Sequence, residues 1–218
     1  MDEAIDEHRH DTLAMFEREA WEERYRARPA LWSGQPNAQL VAEAAALTPG
    51  RALDVGCGEG GDAIWLAERG WQVLGIDISS VALERAAAHT PARVASRIVW
   101  TQADLREQSP EESGYDLVTS HFVHMPRDPM WALYRAAAAA VAPGGTLLIV
   151  GHHPDDLLTT AGRSHFPDAM FTPADLLAAL ALAPSAWHIH AAEQRPRPAV
   201  DPEGRDITVY DTVVVARR

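Results

Sequence analysis

Lysine is absent from all 218 residues of the sequence, so arginine carries the positive charge of its side chains. Enzymes that form a Schiff base and nucleotide-binding loops of the Walker type both need a lysine, and both classes are therefore excluded. Acidic side chains outnumber basic ones and give a formal net charge of -12. This charge opposes binding to nucleic acid, because such binding draws its affinity from clustered basic side chains.

Cysteine and long apolar runs are also scarce. The single cysteine, Cys57, has no partner for an internal disulfide, and no apolar run approaches the roughly 20 residues that span a bilayer. The opening segment, MDEAIDEHRHD, is acidic and polar, without the apolar stretch of a secretion signal. We therefore expect a cytoplasmic protein with no membrane partner. Its 47% hydrophobic and 23% charged content is ordinary for one folded domain.

Predicted strands and helices alternate along the chain. Amphipathic spacing predicts a first helix at 11–23 and a second at 38–47. Short apolar runs then predict strands at 51–56, 71–77, 97–100, 115–119 and 145–150, with closing strands at 187–192 and 207–216. Helical runs are predicted at 63–67, 81–88, 130–141 and from 173 onward. This order predicts an α/β fold in three layers, with about seven strands, mostly parallel, an antiparallel C-terminal strand and helices on both faces.

A glycine-rich loop of the pattern G-x-G-x-x-G follows the first predicted strand, at Gly56, Gly58 and Gly61. Several nucleotide-binding folds share this pattern. Carboxylates surround the loop, at Asp54, Glu59 and Asp62. In a partly desolvated cleft they would repel a pyrophosphate and attract a cation. The loop therefore favours a cationic ligand over a dinucleotide.

Two further carboxylates follow the second and third predicted strands. Asp77 is placed to accept hydrogen bonds from two ribose hydroxyls, as an adenosine ligand requires, and Asp104 to accept one from an adenine amino group. S-adenosylmethionine contains an adenosine with a sulfonium and an ammonium group, and it has no phosphate. The charges therefore favour it as the cofactor. Cys57 is expected to be a small loop filler, because nothing nearby lowers its pKa.

The motif at 53–60, Leu-Asp-Val-Gly-Cys-Gly-Glu-Gly, resembles the class I, Rossmann-like methyltransferases. The resemblance extends from about 53 to 150 and includes the turn Pro-Gly-Gly at 143–145. It implies a Rossmann-like sheet and S-adenosylmethionine as cofactor. Carried over by position, the resemblance implies that Gly56, Gly58 and Gly60 wrap the methionine portion and that Asp54 helps to hold its ammonium group. It also implies that Asp77 binds the ribose and that Asp104 and Leu105 contact the adenine. The expected cofactor-binding residues are Trp32, Asp54, Gly56, Cys57, Gly58, Gly60, Asp77, Ile78, Asp104, Leu105 and Ser120.

The N-terminal segment 21–37, with its paired tryptophans, looks most like the tellurite-resistance and thiopurine methyltransferases, where an N-terminal tryptophan covers the cofactor. Trp32 either stacks on the cofactor or packs against the N-terminal helix, and both readings stay open. We expect one methyltransferase domain over the whole chain. Its parts are N-terminal helices that cover the cofactor site at 1–50, a cofactor-binding core at 51–153, a possible lid at 154–172, and a C-terminal helix with closing strands at 173–218.

Four histidines follow the fourth and fifth predicted strands, where the fold places the methyl acceptor: His121, His124, His152 and His153. His165 lies in the possible lid. If the acceptor is a hydroxyl or a protonated amine, a neutral imidazole can take its proton, with His121 or His124 as the natural candidates. If the acceptor is a soft anion, no base is needed and the histidines line the pocket.

A metal site at His121, His152, His153 and Asp155 is a weaker reading, because adjacent residues in a strand point to opposite faces. We predict no metal. The expected function is in-line methyl transfer from S-adenosylmethionine to a small molecule, by a monomer or homodimer. The alternatives are cofactor binding without transfer, as in a sensor, and a dinucleotide-dependent oxidoreductase. Methylation of nucleic acid or protein needs a basic groove or a recognition domain, and neither is visible.

Overall fold

The computed structural model describes residues 14–161 and 167–218. Within them, strands form at β1 (Arg51–Val55), β2 (Gln72–Asp77), β3 (Ile98–Gln102), β4 (Tyr115–His121), β5 (Val141–His152), β6 (His188–Val200) and β7 (Asp206–Arg217). They make one seven-stranded sheet in the order β3-β2-β1-β4-β5-β7-β6. Pairing is parallel from β3 to β5, and β7 runs antiparallel to both of its neighbours. The predicted sheet is thus confirmed.

Helices cover both faces of this sheet. The described parts of the chain contain α1 (Arg18–Arg26), α2 (Ala38–Ala44), α3 (Gly61–Glu68), α4 (Ser80–His89), α5 (Arg127–Ala140) and α6 (Pro173–Leu180). Short 3-10 turns lie at Ala95–Arg97, Pro154–Leu158 and Pro167–Ala169. In the same parts, no helix is long and apolar enough to cross a membrane.

The core divides into two apolar clusters, one on each face of the sheet. Leu53 and Ile149 belong to one cluster, together with side chains of α5 and α6. Leu117 and Leu148 belong to the other, together with side chains of α2 and α3. Neighbouring residues of a strand point to opposite faces, so a strand buried on both sides must be apolar throughout. The continuous apolar run of β5 at 147–150 follows from this.

Side-chain caps fix the starts of α4 and α6. The Ser79 side chain accepts a hydrogen bond from the amide of Ala82 at the start of α4. At the start of α6, Thr172 and Asp175 form a reciprocal capping box, with Pro173 in the first turn. These local signals placed both helix starts to within a residue.

Some element bounds differ from the sequence expectation. In the range of the first predicted helix, 11–23, the structure has the start of α1 at Arg18, and α1 runs on to Arg26; residues 11–13 lie outside the described part of the chain. The sixth strand is much longer than 187–192, because β7 supplies backbone partners along its whole length. The part beyond residue 192 contains Pro196 and Pro198, and proline in a sequence argues against a strand. An edge strand tolerates proline, since one side of it needs no partner.

The strand order reverses between β1 and β4, which are neighbours in the sheet but not in the chain. Crossovers on the two sides of such a point leave the sheet in opposite directions, and this opens a crevice beyond the carboxyl ends of the strands. The loops that follow β1, β2, β3, β4 and β5 meet there. The functional side chains predicted from the sequence lie on these loops or near the strand ends before them, except Trp32, which lies between α1 and α2.

Candidate active site

A cavity of about 590 Å³ occupies the crevice at the carboxyl ends of the strands. The chain from Phe16 to Ala38 contributes part of its wall, and the loops of the sheet contribute the rest. Its lining includes most of the predicted cofactor residues: Trp32, Gly56, Cys57, Gly58, Asp77, Ile78, Asp104 and Leu105. It also includes three of the predicted histidines: His121, His124 and His152. The cavity therefore joins the predicted cofactor side to the predicted acceptor side.

The glycine loop is shaped by close backbone approach. Gly56 has φ +72°, and a Cβ there would lie 2.6 Å from Cγ2 of Val123. Gly58 has φ +52°, and a Cβ would lie 3.2 Å from both Trp32 Nε1 and the Tyr25 hydroxyl oxygen. Side chains are disfavoured at both positions by backbone conformation and by space. The loop consequently presents backbone to the cavity.

Gly60 does not line the cavity, although the resemblance implies that it wraps the methionine portion of the cofactor. It is the N-cap of α3 with φ +85°, and a Cβ would lie 2.7 Å from the Trp100 ring and 2.9 Å from Ala86 Cβ. The lack of a side chain at Gly60 therefore lets the loop pack closely against Trp100 of β3 and Ala86 of α4. Gly61, which the resemblance did not include, lines the cavity instead.

Asp77 ends β2 and holds the glycine loop in place. Its Oδ2 accepts a hydrogen bond from the Gly58 amide at 2.8 Å, and its Oδ1 accepts one from the Ser79 amide at 2.9 Å. Burial raises the pKa of Asp77, and the amide hydrogen bonds partly offset this. Each carboxylate oxygen can accept more than one hydrogen bond. Asp77 can therefore fix the loop and still accept from two hydroxyl groups.

Asp54 lies beneath the loop, behind the cavity wall. Burial raises the pKa of Asp54 well above its ordinary range, and the carboxylates of Asp62 and Asp77 raise it further. No described residue donates a hydrogen bond to its buried Oδ2. The buried Ser120 hydroxyl also has no partner among these residues, and Ser120 too lies behind the wall. A buried polar atom without a partner is rare in proteins, so the Oδ2 of Asp54 and the Ser120 hydroxyl mark a polar region behind the glycine loop.

Glu59 binds the backbone of residues 25–37, which we call the covering segment. Its Oε2 accepts hydrogen bonds from the amides of Leu31 and Trp32, each at 3.0 Å. Its Oε1 pairs with Arg85 at 2.8 Å, and Arg85 also donates to the Tyr25 carbonyl oxygen. The sequence argument counted this carboxylate among those facing a ligand. In the structure it lines the cavity and also ties the covering segment to the loop.

Asp62 ties the other end of the covering segment to the start of α3. Its Oδ1 accepts a hydrogen bond from the Asn37 amide at 2.6 Å, and its Oδ2 lies 2.6 Å from His121 Nδ1. The second ring nitrogen of His121 lies 2.8 Å from the Thr119 hydroxyl oxygen. Both ring nitrogens of His121 are therefore engaged, and this arrangement favours a clamp over a proton acceptor.

We predict that Glu59→Gln accelerates cofactor release by about fivefold to tenfold, since the variant loses the partly buried charge pair with Arg85. Stopped-flow displacement of S-adenosylhomocysteine measures this rate. The matched control is Glu68→Gln, since Glu68 pairs with Arg93 outside the cavity. Equal release rates in wild type and Glu59→Gln would show that the ion pair does not hold the covering segment closed.

Trp32 belongs to the covering segment and lines the cavity with a half-exposed ring. Its Nε1 donates a hydrogen bond to the Tyr25 hydroxyl at 3.1 Å. Tyr25 is the buried residue of α1, so Trp32 contacts both the N-terminal helix and the cavity. The two readings of Trp32 from the sequence are therefore compatible, and stacking on the cofactor stays a prediction.

The carboxylate of Asp104 forms a salt bridge with Arg106. The guanidinium of Arg106 donates to both carboxylate oxygens of Asp104, and also to both oxygens of Glu17 near the N-terminus. The hydrogen bonds from Arg106 lower the pKa of Asp104, which keeps it ionised. Asp104 and Leu105 line the cavity, as the predicted adenine contact requires.

Cys57 lines the cavity with a buried side chain whose sulfur faces Gly75. Burial raises the pKa of the Cys57 thiol, and Asp77 and Asp54 raise it further. A thiol with a raised pKa is a poor nucleophile at neutral pH. This supports the expectation of a small loop filler.

The acceptor side is lined by a row of rings. The ring centroids of Trp21 and His124 are 6.3 Å apart, those of His124 and His152 are 5.1 Å apart, and Phe122 stacks on His152 at 4.5 Å. All four side chains line the cavity. We call these four residues the ring row. Such a row offers flat contact surfaces to a planar ligand.

His152 is the member of the ring row that faces a buried carboxylate. Its Nδ1 lies 3.8 Å from Asp156 Oδ2, and the Asp156 side chain is fully buried. Asp156 Oδ1 accepts the Tyr210 amide at 2.6 Å, which fixes the carboxylate. The ring of His152 therefore lies between the cavity and a fixed, buried carboxylate.

His153 lies on the opposite side of β5, outside the cavity. Its Nδ1 accepts the Asp155 amide at 3.2 Å and lies 3.2 Å from Gln194 Nε2. The alternation of side chains along a strand accounts for this separation from His152. His165 and the rest of 162–166 lie outside the described residues. No group of three or more potential metal ligands occurs in the parts of the chain that the structure describes.

Sequence reasoning missed Arg197 in β6, which lines the cavity although it lies about 45 residues beyond His152. It also missed Phe122, Val123 and Met125 as lining residues, although they lie next to the predicted His121 and His124 in the chain. The alternation Arg-Pro-Arg-Pro at 195–198 does place two cations on one face of a strand. Nothing local shows that this strand ends beside the cavity.

A parallel sheet whose order reverses at a glycine loop, with an acidic side chain ending the next strand, defines a class of nucleoside-binding α/β enzymes. Within that class, residues 52–145 match the family described as a methyltransferase domain. This part of the chain therefore matches a methyltransferase domain, and the sheet around it has the Rossmann-like fold of the class I methyltransferases.

Similar proteins agree with this assignment. A ubiquinone biosynthesis O-methyltransferase of Acinetobacter baylyi is 38% identical over 98 residues, which are 44% of this chain and 40% of that protein. A trans-aconitate 2-methyltransferase of Streptomyces avermitilis is 33% identical over 140 residues, 59% of this chain and 49% of that protein. The matches thus span about half the length of these relatives or less.

The crystal structure of TehB from Haemophilus influenzae has the same fold, with a TM-score of 0.67 at 19% identity. The alignment covers 92% of this chain and 66% of TehB. TehB is a homologue from the tellurite-resistance group that the N-terminal segment resembles. At this identity the similarity shows the fold alone.

Proposed function

We propose that the protein transfers the methyl group of S-adenosylmethionine to a small molecule by in-line displacement. The observation that carries this proposal is the single cavity, which joins the glycine loop and Asp77 to the ring row. The curated relatives support a small acceptor, since their names concern ubiquinone biosynthesis and trans-aconitate. The cavity volume of about 590 Å³ is in the ordinary range of small-molecule sites.

When bound, S-adenosylmethionine supplies a methyl group already activated by a sulfonium. The protein's task is therefore to hold the two reactants in line and to exclude water. The loop glycines and Asp77 are proposed to hold the adenosyl and methionine portions, and Asp54 to attract the ammonium. The covering segment, fixed by Glu59 and Asp62, closes the site against water.

For a hydroxyl acceptor, we propose His152 as the group that accepts the proton. The support is its place in the cavity lining beside the buried Asp156 carboxylate, whose Oδ2 lies 3.8 Å from His152 Nδ1. His124 is proposed to line the acceptor pocket, and His121 to position Asp62. A cytoplasmic location, a monomeric or homodimeric state and the absence of a nucleic-acid partner belong to the same proposal. The net charge of -12 supports the last of these.

Calorimetric titration tests the cofactor step. We expect S-adenosylmethionine and S-adenosylhomocysteine to bind at micromolar concentration and NAD not to bind. Incubation with trideuteromethyl-labelled cofactor and a panel of small phenols, carboxylic acids and thiols then tests transfer by mass spectrometry. No heat with either adenosyl ligand at high micromolar concentration would reject the proposal. Binding without transfer to any acceptor would favour a sensor, and NAD binding unaffected by Asp54→Asn would favour an oxidoreductase.

A further inference from the structure

We propose that Arg197 is the specificity residue of the acceptor pocket, and that the acceptor is a planar aromatic molecule bearing a carboxylate. This inference rests on the proposed methyl transfer and names the substrate class for it. Arg197 lines the cavity beside the ring row, and the family match, which ends at residue 145, does not include it.

Arg197 is held rigidly by one edge of its guanidinium. Its Nε donates to both carboxylate oxygens of Asp211, at 3.3 and 3.0 Å, and its Nη2 donates to Oδ1 at 3.2 Å. The Asp211 side chain is 1% exposed, and Gln39 also donates to it at 3.3 Å. Among the described residues, Nη1 has no hydrogen-bond partner. The guanidinium therefore keeps donors for a ligand while its orientation is fixed.

Arg197, Phe122 and His152 follow one another along the acceptor side of the cavity. Its Cζ lies 5.8 Å from the ring centre of Phe122, and Phe122 stacks on His152 at 4.5 Å. A carboxylate bound at Arg197 would place an attached aromatic ring against Phe122. A hydroxyl elsewhere on that ring would then lie toward His152, the proposed proton acceptor. The cation, the flat surface and the base are thus arranged in the order that a hydroxylated aromatic acid needs.

Because the protein is acidic, binding of an anionic acceptor in the cavity depends on Arg197. The protein as a whole is strongly acidic and repels anions. The other arginine in the cavity lining is Arg106, which is paired with Asp104 and Glu17 on the adenine side. On the acceptor side, the planar fork of Arg197 provides the geometry that favours a carboxylate. A neutral acceptor would leave these donors without a partner.

The test uses the protein saturated with S-adenosylhomocysteine and two probes, 3,4-dihydroxybenzoate and its methyl ester. The ester keeps the ring and the hydroxyls but has no negative charge on the carboxyl group. We expect wild type to bind the acid at least about tenfold more tightly than the ester. Arg197→Gln should weaken acid binding by about tenfold and leave ester binding within about twofold. Arg197→Lys should give an intermediate loss, because lysine keeps the charge but not the fork.

The matched control is Arg205→Gln, on the turn of the same β6–β7 hairpin and outside the cavity lining. It should preserve the preference for the acid. Since Arg197→Gln removes a partner from buried Asp211, the double variant Arg197→Gln/Asp211→Asn serves as a second test and should show the same loss of preference. Binding of S-adenosylhomocysteine, measured first on each variant, reports its folding.

The outcomes separate the two proposals. If wild type fails to bind S-adenosylhomocysteine, the proposed function is wrong. If it binds that ligand but binds acid and ester equally, or binds neither, the inference about Arg197 is overturned and the proposed function stands. A preference for the acid that persists in both Arg197→Gln and the double variant would also overturn it.

Discussion

Replacing His152 by glutamine is expected to lower kcat for a hydroxyl acceptor by about 10²-fold to 10⁴-fold, the usual contribution of a general base. Glutamine is polar and of similar size, but it does not accept a proton at neutral pH. The KM for S-adenosylmethionine should be unchanged, because the cofactor side of the cavity lies on other strands. Steady-state kinetics with the cofactor varied at saturating acceptor measure both constants.

Two controls separate proton transfer from a structural effect. The loss in His152→Gln should shrink for acceptors whose hydroxyl is acidic enough to ionise without help, since these need no base. His190→Ala should keep wild-type kcat, because His190 is exposed on β6 and lies outside the cavity lining. A loss of the same size for acidic and ordinary hydroxyls would contradict the role of His152 as a base.

Replacing Asp77 by alanine is expected to weaken binding of S-adenosylmethionine by about 1 to 3 kcal/mol, if two ribose hydroxyls lose their acceptor. The structure adds a second reason, since the Gly58 and Ser79 amides also lose their partner. The loop that Asp77 holds should become less ordered, and the free energy of unfolding should fall as well. Calorimetry gives the affinity, and urea unfolding gives the stability.

Asp77→Asn and Glu84→Gln complete this experiment. Asparagine keeps one oxygen, so it should retain part of both the affinity and the stability. Glu84 is exposed on the neighbouring helix α4, and its replacement should change neither. If Asp77→Ala is destabilised but binds the cofactor with wild-type affinity, then Asp77 organises the loop and the assignment to ribose is incorrect.

Local sequence chemistry predicted the elements that form the cofactor side. The apolar run of β1, the glycines after it and the capping residues Ser79 and Thr172 act within a few residues of themselves. The chain path that they require is therefore visible without knowledge of distant contacts. The alternation of strands and helices also limits the possible sheets, since parallel crossovers are nearly always right-handed.

The partners of individual side chains were harder to predict. Glu59 and Asp62 looked like free carboxylates beside a ligand, but they are paired with the covering segment and with His121. The residues in these pairs are far apart in the chain, so no short pattern connects them. Asp54 is the carboxylate of this group that keeps a buried oxygen without a described partner.

By itself, the sequence determined the α/β architecture, the glycine loop and the acidic strand ends, because periodicity, backbone freedom at glycine and helix capping are local properties of the chain. The tertiary structure alone decided that the Asp156 carboxylate near His152 is held by the Tyr210 amide of β7, and it alone placed Arg197 beside the ring row. These placements depend on strand pairing between β5, β7 and β6. Such pairing joins residues distant in the chain, and only the packed sheet specifies which of them meet.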